Sequence, residues 1–193
     1  MKPKILWLLL ATLIGLAIYV NPADAAPLGF RRPRATFAIG LDIYDALTGD
    51  FGKVSDLGLS IFAEATLQVG GYFGGTIRFG SARAFTHKDF LPFDQGYQYV
   101  YMIFSPRFNL APFRKVNLNF YLQPDIAMQV LVSNTLVSMT GNRQITGAAG
   151  GALGAQYIIG MFSVSGQVEC LYNWNLSSVF LGGSISIGIS STI

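Results

Sequence analysis

The chain has 193 residues, 51% of them hydrophobic and only 12% charged, with a formal net charge of +3. Soluble domains carry roughly 25% charged residues, so this balance is membrane-like, and the length is most simply that of one domain. Past the N-terminus, however, Gly, Ser, Asn and Gln interrupt every apolar run before it nears the roughly 20 residues of a transmembrane helix, which argues against a helical membrane protein. The single cysteine, Cys170, excludes an intramolecular disulfide and a cysteine metal cluster, and the charge leaves no footprint for nucleic acid.

The first segment reads as an address. Lys2 and Lys4 form a positive region, Ile5 to Val20 an apolar one, and Ala23-Asp24-Ala25 an A-x-A site, so residues 1–25 are expected to be a secretory signal peptide. The alternative is an uncleaved anchor, for which the apolar stretch is at the short end. Loss of Lys2, Lys4 and Asp24 lowers the formal charge from +3 to about +2. In residues 26–35, Arg31, Arg32 and Arg34 either contact anionic headgroups or simply lead into the first strand.

From there the chain alternates with period 2, the mark of strands with unlike faces. Thr36 to Tyr44 sets Phe37, Ile39, Leu41 and Ile43 against Ala38, Gly40, Asp42 and Tyr44. Leu57 to Val69 sets Leu59, Ile61 and Leu67 against Ser60, Phe62, Glu64 and Gln68, a length unusual in a globular strand. After Gly70-Gly71, Phe73, Ile77 and Phe79 oppose Thr76 and Arg78. Tyr97 to Leu110 sets Val100, Met102, Phe104 and Phe108 against Tyr99, Tyr101, Ser105, Arg107 and Asn109. The clearest strand, Val116 to Val130, opposes Leu118, Phe120, Leu122, Ile126 and Met128 to Asn119, Tyr121, Gln123, Asp125 and Gln129. A Gly/Ala-rich strand follows at about Ile145 to Tyr157, then Phe162 to Trp174 with Gln167 and Glu169 on its polar face, and finally Val179 to Ile193.

Such strands close in one of two senses. A sandwich or lipocalin turns the apolar face inward; a membrane barrel turns it to lipid and fills the interior with the polar face. The connections favour the second. Tight ones at Gly70-Gly71, Ala111 to Lys115 and Ile158 to Gly160 alternate with long ones at Asp45 to Asp56, Ala82 to Gly96 and Val132 to Gln144, and a shorter fourth spans Asn175 to Ser178. Asp42, Glu64, Arg78, Arg107, Asp125 and Glu169 all fall on the polar face, and no charge falls on the apolar rows of the expected strands. A lipid-facing Arg or Lys costs about 2–4 kcal/mol near the midplane, and backbone groups in hydrocarbon must be paired, so the sheet must close. Tyr72, Phe73, Phe113, Tyr157 and Phe162 gather by the short turns and Tyr97, Tyr172 and Trp174 by the long loops, as interfacial aromatics do.

The expected fold is all-β: an eight-stranded, antiparallel, up-and-down transmembrane β-barrel over residues 36–193. The chain resembles the small eight-stranded bacterial outer-membrane barrels of the OmpA/OmpX type over its whole mature length. Ser186, Gly188 and the terminal Ile193 match the polar, glycine and final positions of that family's C-terminal assembly signal, while Ser191 and Ile193 depart from its apolar and aromatic residues. The resemblance implies outer-membrane lipid around the barrel, termini in the periplasm and long loops outside.

Three constellations could carry function. Glu64 and Arg78 share parity, so an odd connection centred on Gly71 would set them opposite each other, with Arg107, Glu169 and Asp42 at the same height if stagger permits; the expectation is a lumen charge cluster. The second long loop carries Phe85, His87, Phe90 and Phe93, an apolar patch suited to an external partner. His87, the sole histidine, is also where a lipid A-modifying enzyme reading would begin, but it has no evident Ser and acid partners. The glycine-rich stretches lack the lysine and helix of a phosphate loop and read as room for large lumen neighbours. The functional expectation is a monomeric, non-enzymatic envelope component with loops for adhesion or host contact, without cofactor, metal or nucleic acid. The competing readings are a small pore or transporter of hydrophobic compounds and, behind it, a lipid A-modifying enzyme.

Overall fold

The computed structural model describes residues 33–48, 55–69, 72–86, 97–113, 118–131 and 145–193. They form eight strands: β1 Arg34–Ala46, β2 Ser55–Val69, β3 Phe73–Thr86, β4 Tyr97–Phe113, β5 Leu118–Leu131, β6 Ile145–Ile159, β7 Phe162–Asn173 and β8 Ser178–Thr192. Each strand pairs antiparallel with its sequence neighbours, and β1 pairs with β8, giving a closed barrel. The expected signal peptide and the loop residues His87, Phe90 and Phe93 lie outside the described residues.

Alternation decides the sense of closure. Phe37, Ile39, Leu41, Ile61, Ile126, Ile185 and Ile187 point out and are more than half exposed, whereas Thr36, Thr76, Arg78, Arg107, Asn119, Gln123 and Asp125 point in and are buried. Exposed hydrocarbon on every wall and buried polar groups inside invert the arrangement of a water-soluble barrel, and hydrocarbon is the solvent that suits such a surface. Tyr72, Phe73, Tyr157 and Phe162 are exposed at the short-turn end, Tyr172 and Trp174 at the other, forming two aromatic rims.

The strands run further than alternation alone suggests. β1 begins at Arg34 rather than Thr36, because Arg34 is paired on both sides, with Gln68 and Thr192. Residues 82–86, expected in a long loop, belong to β3; Phe85 is therefore a strand residue, its backbone opposite Leu57. This extension places Arg83 on the outward row, and Asp45 does the same at the end of β1. Both lie at the long-connection rim, where a charged side chain can reach the headgroup layer. Cys170 is a free, exposed cysteine on the outward row of β7.

Turn chemistry sets the registers. Val69 pairs with Phe73, so three residues, 70–72, join β2 to β3. Between β6 and β7 the turn is Gly160–Met161 rather than Ile158 to Gly160, since Ile159 pairs with Phe162 and Ile158 turns inward. Gly160 adopts φ 61°, which costs a residue without Cβ least. At the other end the Asn173 carboxamide oxygen accepts from the backbone N–H of Asn175 and Leu176, each at 3.0 Å, and fixes the β7–β8 turn.

Candidate functional site: the charged interior

Four glycines make the interior possible. Phe62, Tyr44, Tyr101 and Tyr121 are large inward rings, and each stands directly across a strand pair from a glycine: Gly40, Gly58, Gly80 and Gly154 respectively. The rings lie where Cβ atoms on those glycines would be. Gly80→Val should therefore displace Tyr101 and weaken folding by about 1–3 kcal/mol, the usual range for overpacking. Urea unfolding in lipid vesicles measures it; unchanged stability would mean the ring is not held against Gly80.

Arg78 is the hub. Its side chain is 4% exposed; Nε and Nη2 donate to Glu64 Oε2 at 3.1 and 2.9 Å, and Nη1 donates to Glu169 Oε2 at 3.0 Å. The guanidinium also lies 4.4 Å from the Phe62 ring centroid. Glu64 faces Arg78 across the β2–β3 pair. Glu169 is on β7, four strands from β3 either way round the barrel, so the Arg78–Glu169 pair spans the diameter. Asp42 completes the group more loosely, with Oδ1 3.9 Å from Nη1. Its other oxygen accepts from the Tyr101 hydroxyl at 2.7 Å, which also meets Ser60 Oγ at 2.7 Å.

Arg107 does not join this cluster. The β3–β4 register sets Arg78 opposite Ile103 and Arg107 opposite Gly74, four residues nearer the short turns. Height on β4 is fixed by its pairing with β3 rather than by distance from its own turn, where β4 also carries a bulge between Asn109 and Ala111. Arg107 instead donates to Gln156 Oε1 at 2.8 Å and Asn109 Oδ1 at 3.4 Å, and its guanidinium stacks 3.6 Å over the Tyr121 ring. Tyr121 in turn donates to Gln167 at 3.1 Å, and Ser105 donates to Asp125. These bonds tie β4, β5, β6 and β7 together below the Arg78 layer.

The long-connection half of the interior is apolar rather than uniformly polar. Tyr44, Tyr99, Ile103, Leu171 and Phe180 pack there, with Tyr44 and Tyr99 centroids 6.0 Å apart and Tyr44 and Phe180 6.2 Å apart. Ile103, Leu171 and Phe180 have the parity of the inward rows, which is the signal that could have found them. A polar tier, Asn173 donating to Gln129 Oε1 at 2.7 Å and to Thr146 Oγ1 at 3.3 Å, adjoins them.

The geometry defines a closed eight-stranded barrel with an apolar exterior and an interior crossed by ion pairs. No protein-family model matches the chain, and no curated protein matches it. Solved structures do match. Ail, the attachment invasion locus protein of Yersinia pestis, gives a TM-score of 0.54 at 12% identity over 83% of this chain and 100% of its own. Neisserial surface protein A gives 0.56 at 10% identity over 86% and 99%. The outer membrane protein OprG from Pseudomonas aeruginosa gives 0.55 at 10% identity over 86% and 99%. The chain thus has the fold of the small eight-stranded outer-membrane barrels, and at such identities the likeness is one of fold.

Proposed function

We propose that the protein is a non-enzymatic, monomeric outer-membrane barrel whose termini face the periplasm and whose long loops form a contact surface for an external partner. In this reading residues 1–25 are the cleaved signal, residues 26–33 a lead-in, and the charge cluster a structural plug. The observation that carries it is the Arg78–Glu169 pair across the barrel diameter, which favours a rigid post over an open conduit. Fold likeness supports a surface role, since Ail is by name an attachment and invasion protein and has been crystallised with the heparin analogue sucrose octasulfate. Phe85, His87, Phe90 and Phe93 remain the loop-side residues proposed for contact.

A small pore or a transporter of hydrophobic compounds is the second reading, favoured by the apolar upper half of the interior. Planar-bilayer recording of the refolded chain separates the two. The plug reading expects no discrete conductance steps, while protease or antibody applied to intact cells reaches the loops. Stepwise conductance in purified, folded protein would sink the plug, and a change in lipid A mass on expression would move the assignment to an enzyme.

A further inference from the structure

A cavity of about 50 Å³ lies on the long-connection side of Arg78. A single water needs roughly 10–15 Å³ on this measure, so the space suits a ligand of a few heavy atoms. Its walls include the side chains of Tyr44, Tyr99, Tyr101 and Phe180, and its acidic members are Asp42 and Glu169. Asp42 Oδ1 and Glu169 Oε1 are buried without a hydrogen-bond partner, the hydroxyl of Tyr44, a residue only 9% exposed, has only that of Tyr99 beside it and keeps a lone pair free, and all three residues line this one cavity. Nearby, one guanidinium faces three carboxylates, Asp42, Glu64 and Glu169. Arg107 does not redress the balance directly, being engaged with Gln156, Asn109 and the Tyr121 ring.

Unpartnered buried oxygens are costly, and here they accompany three acidic side chains to one arginine. We propose that the cavity binds a small primary ammonium ion, held by Asp42, Glu169 and the Tyr44 hydroxyl and flanked by the aromatic rings. A primary ammonium brings three N–H donors to three acceptors, and aromatic faces attract cations. A hard metal ion fits poorly: it asks for six or more oxygens, whereas rings and aliphatic groups dominate this wall. Among the described residues no group of three His, Cys, Asp or Glu is placed to hold a metal. The proposal does not depend on a surface role for the loops.

The test titrates the full folded chain in lipid nanodiscs with methylammonium chloride by calorimetry, against sodium chloride and tetramethylammonium chloride at equal ionic strength. Saturable methylammonium binding is expected, with sodium inactive and tetramethylammonium, which has no N–H donors, about tenfold weaker or more. Asp42→Asn should weaken methylammonium about tenfold and the near-isosteric Tyr44→Phe about threefold, both variants being checked for folding by their heat-dependent mobility on SDS gels. If Asp42→Asn fails to fold, Tyr44→Phe carries the test. Absence of saturable uptake by the folded wild-type chain, equal binding of sodium, or unchanged affinity in either folded variant overturns the assignment.

Discussion

Replacing Arg78 with methionine is expected to lower the unfolding free energy by about 3–5 kcal/mol, the range for removing one partner of a buried ion pair. The substitution keeps much of the side chain's length, so the loss is electrostatic more than steric. Glu64, Glu169 and Asp42 would remain inside the barrel without the cation they share, and Tyr101 cannot substitute because it donates only one hydrogen bond. Removing a single acid should cost less. In Glu64→Gln the arginine keeps Glu169 at 3.0 Å and retains a neutral acceptor at position 64, so the loss should be about 1.5–3 kcal/mol. The double variant should then be less destabilised than the two single losses combined, because the methionine variant leaves one fewer unpaired carboxylate when Glu64 is neutral. Reversible urea unfolding in lipid vesicles reads all three. An Arg78→Met loss no larger than that of Glu64→Gln would mean that Arg78 is not the hub.

This asymmetry was only half visible in the linear chain. Parity assigns Glu64, Arg78 and Glu169 to one face because side chains alternate strictly, and the odd connection through Gly71 places Glu64 against Arg78. Parity says nothing about height on strands that are not neighbours. Whether Arg78 meets Glu169 depends on registers accumulated around the barrel, and local sequence does not encode that sum. Arg107, equally inward, lies on the neighbouring strand, but a long connection joins β3 to β4 and leaves their pairing open, and that pairing sets Arg107 four residues away, against Gln156 and Tyr121. The glycines tell a similar story: the stretch that ends at Gly154 reads as room for a large lumen neighbour, but only the β5–β6 register names that neighbour as Tyr121. The apolar upper layer was obscured because Ile103, Leu171 and Phe180 are isolated hydrophobic residues on otherwise polar rows, and only closure gathers β4, β7 and β8 around one space.

The outward row supports an equally large and opposite kind of test. Ile61 sits at the middle of β2, is 69% exposed, and pairs with Leu41, itself 61% exposed. On a water-facing surface Ile61→Arg would change stability by no more than about 0.5 kcal/mol, since it touches no buried group. In a bilayer the same guanidinium must enter hydrocarbon near the midplane, at a cost of about 2–4 kcal/mol. Leu47, 55% exposed just beyond the end of β1, supplies the internal control: an arginine there can reach the headgroups, and the expected cost falls to about 0–1 kcal/mol. The prediction is thus a gradient along the wall, steep at Ile61 and shallow at Leu47, measured by unfolding in vesicles of fixed composition. The gradient depends on the solvent around the barrel and not on packing within it, so repacking inside cannot imitate it. If Ile61→Arg were as mild as Leu47→Arg in vesicles, the exposed apolar belt would not be facing lipid, and the membrane orientation of the fold would have to be abandoned.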